Sequence, residues 1–566
     1  MRKKICLTLL FLMLLVFLLT VISDNGVTSA VPGYTSPIFP EAWQQTIVHG
    51  ANQEAFKLSV NGETVEADLE EPFITNDSKL MLPLSWIHKA FPVMTVEDPD
   101  GKVTLLYGRR KLEFMNDEDT VLVDGESVPA AAKMRILNGM LYLSSDLLQE
   151  TMNIHTVWGP DRNSMLFTTD PETEALPEKF SLADYGKLPE VQDQGKLGAC
   201  AAFAALSALE SERLPKDHTV FSRDHLLIYE GLDLEEEAYG GTPSQALAYL
   251  LSWEGPVDGA KDPYGDGKTV ADAKTECHVE GAYQMTAPDT ETLKEACFRY
   301  GGVEATMYLR PADKDNAEQA ENEYNEEAAA YCCLEQKDVN HDVVIVGWDD
   351  SFPKNSFPCG DRLTRDGAFI CLNSWGKEFG QNGLFYVSYE DASFAPYAMA
   401  YTEVEDADSH ARIYQTDLMG PAAQAGYGGG DAWFANAYTA ESREIFTGAG
   451  FYTLGESSEY DLYIVRDFQD IESFSKKQLL KSGRLTYSGF HTVRLKEELR
   501  LEKGESFAVL VHLKTEGVNF PVAVTAAPEG ADSSAYGYLG SSGSSFKSTK
   551  EQGSISICLK AYTKKQ

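Results

Sequence analysis

The chain has 566 residues, with 48 basic and 87 acidic side chains and a net charge of −39. That length holds about three or four domains, each able to bury its own core. The charge excludes nucleic acid and anionic membrane surfaces as natural partners, because a strongly negative field repels both.

In chain order, Arg2-Lys3-Lys4 precedes an apolar run from Ile5 to Ile22, and a polar stretch then ends at Thr28-Ser29-Ala30. Residues 1–30 read as a secretory signal peptide cleaved after Ala30. The run is long for a signal core, so an uncleaved N-terminal anchor is the alternative. That segment, if retained, is the only expected contact with a membrane. Residues 31–57 carry Pro, Ser and aromatic residues without a period and read as a linker.

Residues 58–169 contain an internal repeat. Val60-Asn61-Gly62-Glu63-Thr64-Val65 returns as Val123-Asp124-Gly125-Glu126-Ser127-Val128, and Met81-Leu82-Pro83-Leu84-Ser85 returns as Met140-Leu141-Tyr142-Leu143-Ser144. Each unit predicts strand, turn, strand, helix, strand, so this is a duplicated α+β module. His88 and His155 form no ligand cluster, and no metal or cofactor is expected anywhere in the chain.

Residues 170–405 carry the candidate chemistry. Gln194-Gly195-Lys196-Leu197-Gly198-Ala199-Cys200 is a glycine-bearing loop with a cysteine at its end. From Cys200 the pattern turns helical through Phe203, Leu206 and Leu209, until Leu214-Pro215 stops it. A thiol at a helix N-terminus faces unpaired N–H groups and the positive end of the macrodipole, and both favour thiolate. Ser222 is placed to cap a second helix. Tyr239-Gly240-Gly241 precedes a third, through Ala246 and Tyr249, and Leu293 to Tyr300 predicts a fourth. Downstream, His341 opens the apolar run Asp342 to Trp348, and Phe369 to Leu372 leads into Asn373-Ser374-Trp375-Gly376. A cysteine nucleophile needs a base, and the base needs an orienting group; Cys200, His341 and Asn373 supply these types in order.

Of nine cysteines, Cys6 lies in the signal and Cys200 is the candidate nucleophile. The other seven cannot all pair with one another, so at most two disulfides are expected. Residues 411–562 are rich in Gly and Ser and carry alternating runs such as Glu459 to Val465, His491 to Leu495 and Ser506 to His512. Short strands with turns between them predict a β-sandwich. Tyr427 and Trp433 are candidates either for stacking on sugar or for its core.

Gly198-Ala199-Cys200, the later His and Asn, and Asn373-Ser374-Trp375-Gly376 together resemble papain-like (family C1) cysteine peptidases of the bacterial secreted type. The resemblance covers residues 170–405. It implies a central α+β fold with a helical half and a β-rich half, and a peptide bond as substrate. It implies a Cys200–His341–Asn373 triad with a thiolate–imidazolium pair, and an oxyanion site made by Gln194 and the Cys200 N–H. Gly240 and Gly241 would line the substrate groove. The repeat at 58–169 is similar to the copper amine oxidase N-terminal-like module of bacterial surface proteins, and 411–562 to a lectin-like domain, which implies a cell-wall or glycan ligand. Two positions depart from the peptidase family: Ala201 where it has Trp after the cysteine, and Leu197 where it has a disulfide-forming Cys. An inactive papain-like surface protein acting in adhesion or glycan binding is therefore the competing expectation, and an acyl transferase on the same chemistry is a third.

Overall fold

The computed structural model describes residues 57–566 apart from 68, 76–78, 100, 115–119, 131–132, 138–139, 160–163, 232–240, 271–272, 311–321, 408–411 and 528–535. The expected signal, the linker up to residue 56 and Gly240 lie outside the described residues.

In the N-terminal part, Asn61-Gly62 and Asp124-Gly125 turn two hairpins, all four residues at positive φ. A two-residue turn that follows strand twist demands this backbone. Helices Leu84–Ala90 and Ser145–Met152 directly follow strands Leu80–Pro83 and Met140–Ser144. The two halves interlock. Lys57–Val60 pairs with Ser164–Thr168, and Leu80–Pro83 pairs with Met140–Ser144. Neither half closes its sheets without the other.

After a short strand, Lys179–Ser181, that pairs with the later strand His341–Asp349, the central part forms helices α1 (Cys200–Arg213), α2 (Arg223–Tyr229) and α3 (Pro243–Leu251). Strand β1 (Cys277–Thr286) and helix α4 (Thr290–Tyr300) follow. Then come β2 (Val303–Met307), β3 (His341–Asp349), β4 (Ala368–Leu372), β5 (Leu384–Ser388) and β6 (Tyr397–Asp406). Ser222 caps α2 as expected by accepting from the His225 N–H, and Thr242 and Asp289 do the same for α3 and α4. These caps satisfy N–H groups that have no partner inside the helix.

Helix α1 is buried from Ala201 to Ser211 without a break. Its alanines let β3, α3 and β6 pack around it together. Polar groups on such a helix must be paired inside. Arg223 accordingly donates to both carboxyl oxygens of Glu210, to Ser207 Oγ at 2.9 Å and to the Phe221 carbonyl at 2.8 Å.

The C-terminal part consists chiefly of β7 (Asp431–Thr439), β8 (Glu444–Thr453), β9 (Ser458–Arg466), β10 (Gly489–Leu501), β11 (Ser506–Lys514) and β12 (Leu559–Lys565). Strands β9, β11 and β7 form one sheet of the expected sandwich. Its apolar face packs through Phe434, Leu462 and Val509 against Phe446, Phe451 and Val493 of the other. That second sheet is continuous with the sheet of the central part. The order β5-β4-β3-β2-β6-β1-β10-β8-β12 runs through a sheet of thirteen strands. The joint is β1 against β10, with Ala282 opposite Phe490 and Tyr283 opposite Gly489.

Side chains reinforce this joint. Arg494 on β10 lies 2.9 Å from Glu280, 2.7 Å from Glu403 and 2.9 Å from Glu405. Trp253 stacks with His278 and with Tyr562, with centroids at 3.9 and 5.1 Å. The N-terminal part docks elsewhere. Met94, Val96 and Leu106 join the central core near α4, and Arg299 donates to the His88 carbonyl at 2.7 Å. Lys216 pairs with Glu97 at 2.9 Å just beyond the C-terminal end of α1. Cys200 is at the other end of that helix, about 20 Å away.

Arg494→Ala removes the common partner of three carboxylates, of which Glu280 is fully buried. Leaving buried charges unpaired costs about 3–5 kcal/mol. The variant is expected to lower the first transition in scanning calorimetry by several degrees; an unchanged thermogram would refute the claim that this cluster holds the joint.

Candidate active site

The loop before α1 is fixed against the loop after β4. The Gln194 N–H donates to the Ser374 carbonyl at 2.8 Å, and the Gly376 N–H to the Gln192 carbonyl at 3.0 Å. Gly195 turns the chain at φ +60°, a conformation that favours glycine. The Gln194 side chain is held at both ends. Its Nε2 donates to the Leu197 carbonyl at 2.8 Å, and its Oε1 accepts from Ser374 Oγ at 2.5 Å. Tyr264 Oη donates to the Gln194 carbonyl at 2.8 Å.

His341 begins β3, and Asn373 follows β4, its antiparallel neighbour. Nε2 of His341 lies 2.8 Å from Oδ1 of Asn373, which also accepts the Ser374 N–H at 2.8 Å. Because that backbone group can only donate, the Asn373 atom facing it is the oxygen. His341 therefore carries its proton on Nε2 and leaves Nδ1 bare. The Trp375 ring packs on His341 with centroids 4.9 Å apart, and Phe379 backs Trp375 edge-on at 5.0 Å.

Cys200 stands at the first position of α1, half-buried. Its thiol donates to Asp342 Oδ2 at 3.5 Å, and no hydrogen bond joins it to His341 among the described residues. Burial pushes the thiol up to about 12, and the Asp342 carboxylate adds to the shift. The Ala201 N–H at the helix start opposes this, as the expectation from helix ends requires, but is outweighed. Burial holds His341 down to about 4, against the Asn373 hydrogen bond. Both directions favour a neutral thiol and a neutral imidazole over the expected thiolate–imidazolium pair. Both groups are desolvated, they do not pair with each other, and a carboxylate faces the sulfur.

Gly241 lies beside α2, and a Cβ there would meet Glu230 Oε2 at 2.2 Å. Sequence reasoning missed Asp342, Glu304 and Glu230. One signal was present: an acid directly after His341, at the start of an otherwise apolar strand. All eight described cysteines are free. Trp433 lies outside the core between the two sheets and packs against a second apolar cluster that includes Phe468, Phe474 and Phe546. It lies half-buried on the outer face, with His512 stacked on it at 4.0 Å and the Lys477 ammonium 5.4 Å from its ring centre. Tyr427 is exposed.

With this geometry in place, three family models account for most of the chain. Residues 176–402 match the papain family cysteine protease model, 59–167 the copper amine oxidase N-terminal domain and 413–563 the lectin like domain. The central domain is of the papain C1 type, preceded by a copper amine oxidase N-terminal-type domain and followed by a lectin-like one. Among curated proteins, the viral cathepsin of Heliothis zea nuclear polyhedrosis virus is 26% identical over 217 residues, 38% of this chain and 52% of that protein. Cathepsin S of Bos taurus is 26% identical over 245 residues, 42% of this chain and 66% of that one. Cathepsin J of Mus musculus is 28% identical over 233 residues, 39% and 64% respectively. The chain thus spans between about half and two-thirds of the length of these relatives.

Two solved structures share the fold. One is the cysteine protease and lectin-like domains of Cwp84, a surface layer associated protein of Clostridium difficile. It is 22% identical with a TM-score of 0.58, over 69% of this chain and 89% of that one. The other is a cysteine-to-alanine variant of the clostridial cysteine protease Cwp84 after propeptide cleavage. It is 23% identical with a TM-score of 0.59, over 69% of this chain and 99% of that one.

Asp342, itself raised to about 6 by burial, is ionised at neutral pH. Its charge raises the thiol, so Asp342→Asn is expected to speed alkylation of Cys200 by iodoacetamide at pH 8 by about tenfold for each unit by which the thiol falls. The gain should shrink at pH 5, where the parent's Asp342 is mostly protonated. Equal or slower alkylation at pH 8 would show that Asp342 does not govern this thiol.

Proposed function

We propose that the chain is a secreted or cell-surface cysteine peptidase, with Cys200 as nucleophile, His341 as base and Asn373 as its orienting group. A stalk-type module at 58–169 precedes the peptidase domain at 170–405, and a lectin-like module at 411–562 follows. The observation that carries the reading is the His341–Asn373 hydrogen bond at 2.8 Å, which leaves Nδ1 bare in a domain whose buried helix Cys200–Arg213 begins at Cys200.

With both groups neutral at rest, proton transfer accompanies attack. His341 Nδ1 takes the thiol proton as Sγ adds to the peptide carbonyl carbon. The oxyanion is received by the Cys200 N–H and the second Nε2–H of Gln194, whose first is held by the Leu197 carbonyl. His341 then gives the proton to the departing amine. Water, deprotonated by the same imidazole, hydrolyses the thioester and restores the thiol. Gly241, beside Glu230, fits a groove wall that a peptide backbone approaches closely. Of the two aromatics considered for sugar binding, Tyr427 is the exposed one, and it is the place to look for a glycan contact.

The test is labelling of the purified chain with an epoxide-type papain inhibitor. Labelling should fall on Cys200 alone, vanish in Cys200→Ala and slow in His341→Ala, with peptide hydrolysis in the latter reduced about 10²–10⁴-fold. Reaction no faster than that of a free thiol would sink the peptidase reading in favour of an inactive papain-like adhesin.

A further inference from the structure

This inference rests on the peptidase reading and names the substrate class of that same site. Strands β2 and β3 are antiparallel neighbours, with Glu304 opposite Val344 and Thr306 opposite Asp342. Opposed residues share a face, and so do alternate residues along a strand. Glu304 and Asp342 therefore project from the same face, and Asp342 reaches the Cys200 thiol. Glu304 is fully buried, yet both its carboxyl oxygens are without a hydrogen-bond partner. Asp342 Oδ1 and Glu230 Oε2 are also buried and unpartnered. Burial, then the charges of Asp342 and Glu230, drive Glu304 well above the ordinary carboxylate range. Burial alone raises Glu230 to about 8.

Fully buried carboxylates are nearly always paired. Here Glu304 and Asp342, both buried, share a face that reaches the nucleophile through Asp342, and the part-buried Glu230 is an electrostatic neighbour of Glu304; none of the three has a lysine, arginine or histidine partner among the described residues. Such an arrangement costs free energy in the unliganded chain, and a cation that entered would relieve it. A metal ion does not fit. Among the described residues, no group of three or more His, Cys, Asp or Glu is arranged to hold one. A long side chain with several donors does fit, because it can reach carboxylates that do not converge on a point.

We propose that Asp342, Glu304 and Glu230 form a specificity pocket for a lysine or arginine side chain next to the scissile bond of the peptide substrate. Glu304 is its floor, Asp342 its wall toward Cys200, and Glu230, packed on Gly241, its partly exposed edge. A cation seated there also offsets the Asp342 charge that disfavours the Cys200 thiolate, so the correct substrate eases ionisation of its own nucleophile.

Internally quenched peptides differing only by lysine, arginine or norleucine, placed in turn at each position flanking the cleaved bond, test this on the full chain. One position is expected at which a basic residue exceeds norleucine by about tenfold or more in kcat/KM. Glu304→Gln and Glu230→Gln should each cut that ratio several-fold; the second, at the exposed edge, serves if the first misfolds. Preference for norleucine at every position, or a ratio that survives in the folded variants, overturns the pocket. If the folded wild type cleaves no peptide, the peptidase reading is what fails. The pocket is then judged by calorimetric titration with the lysine and norleucine peptides. Lysine-selective binding that Glu304→Gln abolishes upholds it; equal or absent binding overturns it.

Discussion

The helix that starts at Cys200 is enclosed on all sides, and the rest of the molecule is arranged to offset the cost of that enclosure. Only small side chains allow β3, α3 and β6 to approach one helix together, which is why alanine recurs along Cys200–Arg213. Such a helix has no wet face on which to leave polar groups. Glu210 and Ser207 are consequently tied to Arg223, and Ser211 Oγ donates to the Lys187 carbonyl at 2.8 Å while accepting the Gly302 N–H at 2.9 Å. Those bonds fix the helix along and about its axis. They thereby fix the height and direction of Cys200 relative to the strand that carries His341.

The same enclosure sets the electrostatics of the site. A helix N-terminus stabilises a thiolate by a modest amount, and desolvation works against it with a larger one. With Trp375 packed on it and Asn373 bonded to it, the His341 imidazole is shielded from water, while the half-buried Cys200 thiol is shielded in part. Burial, rather than any special chemistry of the residues, is what favours the neutral form of each group. Asp342 makes the case stronger, since a carboxylate at the sulfur penalises the very charge that attack requires. The chemistry of this cleft is therefore sensitive to whatever brings positive charge into it.

The three candidate catalytic residues were legible because each sits inside a short local pattern. A glycine loop runs into a helix at Cys200, an apolar strand starts at His341, and a turn of fixed composition holds Asn373. Helix ends were legible for the same reason, as at Ser222. What could not be read depends on residues far apart in the chain. Strand β1 was missed because His278 and Glu280 interrupt its apolar pattern, and the buried Glu280 is paired with Arg494, more than two hundred positions later. Glu230, Glu304 and Asp342 likewise lie on three elements, and nothing local to any one of them announces the other two. The direction of the thiol's shift was misjudged for a related reason: a helix end is a local feature, while desolvation is a property of the packed fold.

The continuous sheet bears on how the C-terminal sandwich relates to the cleft. From β3, which carries His341, the path to β10 passes through β2, β6 and β1 by backbone pairing alone. A sandwich tethered by a flexible linker would move independently of the cleft. This one cannot rotate without breaking the β1–β10 pairing, the Arg494 cluster and the Trp253 stack together. At the same joint, Gln415 of the sandwich donates to the Ser252 carbonyl at 2.8 Å, a further bond that opening would break. The lectin-like domain therefore fixes the orientation of the cleft relative to any surface it binds. If the chain cuts peptides as proposed, substrate would reach Cys200 from a direction set by the sandwich, and that geometry, as well as the chemistry of the proposed pocket, would limit what is cut.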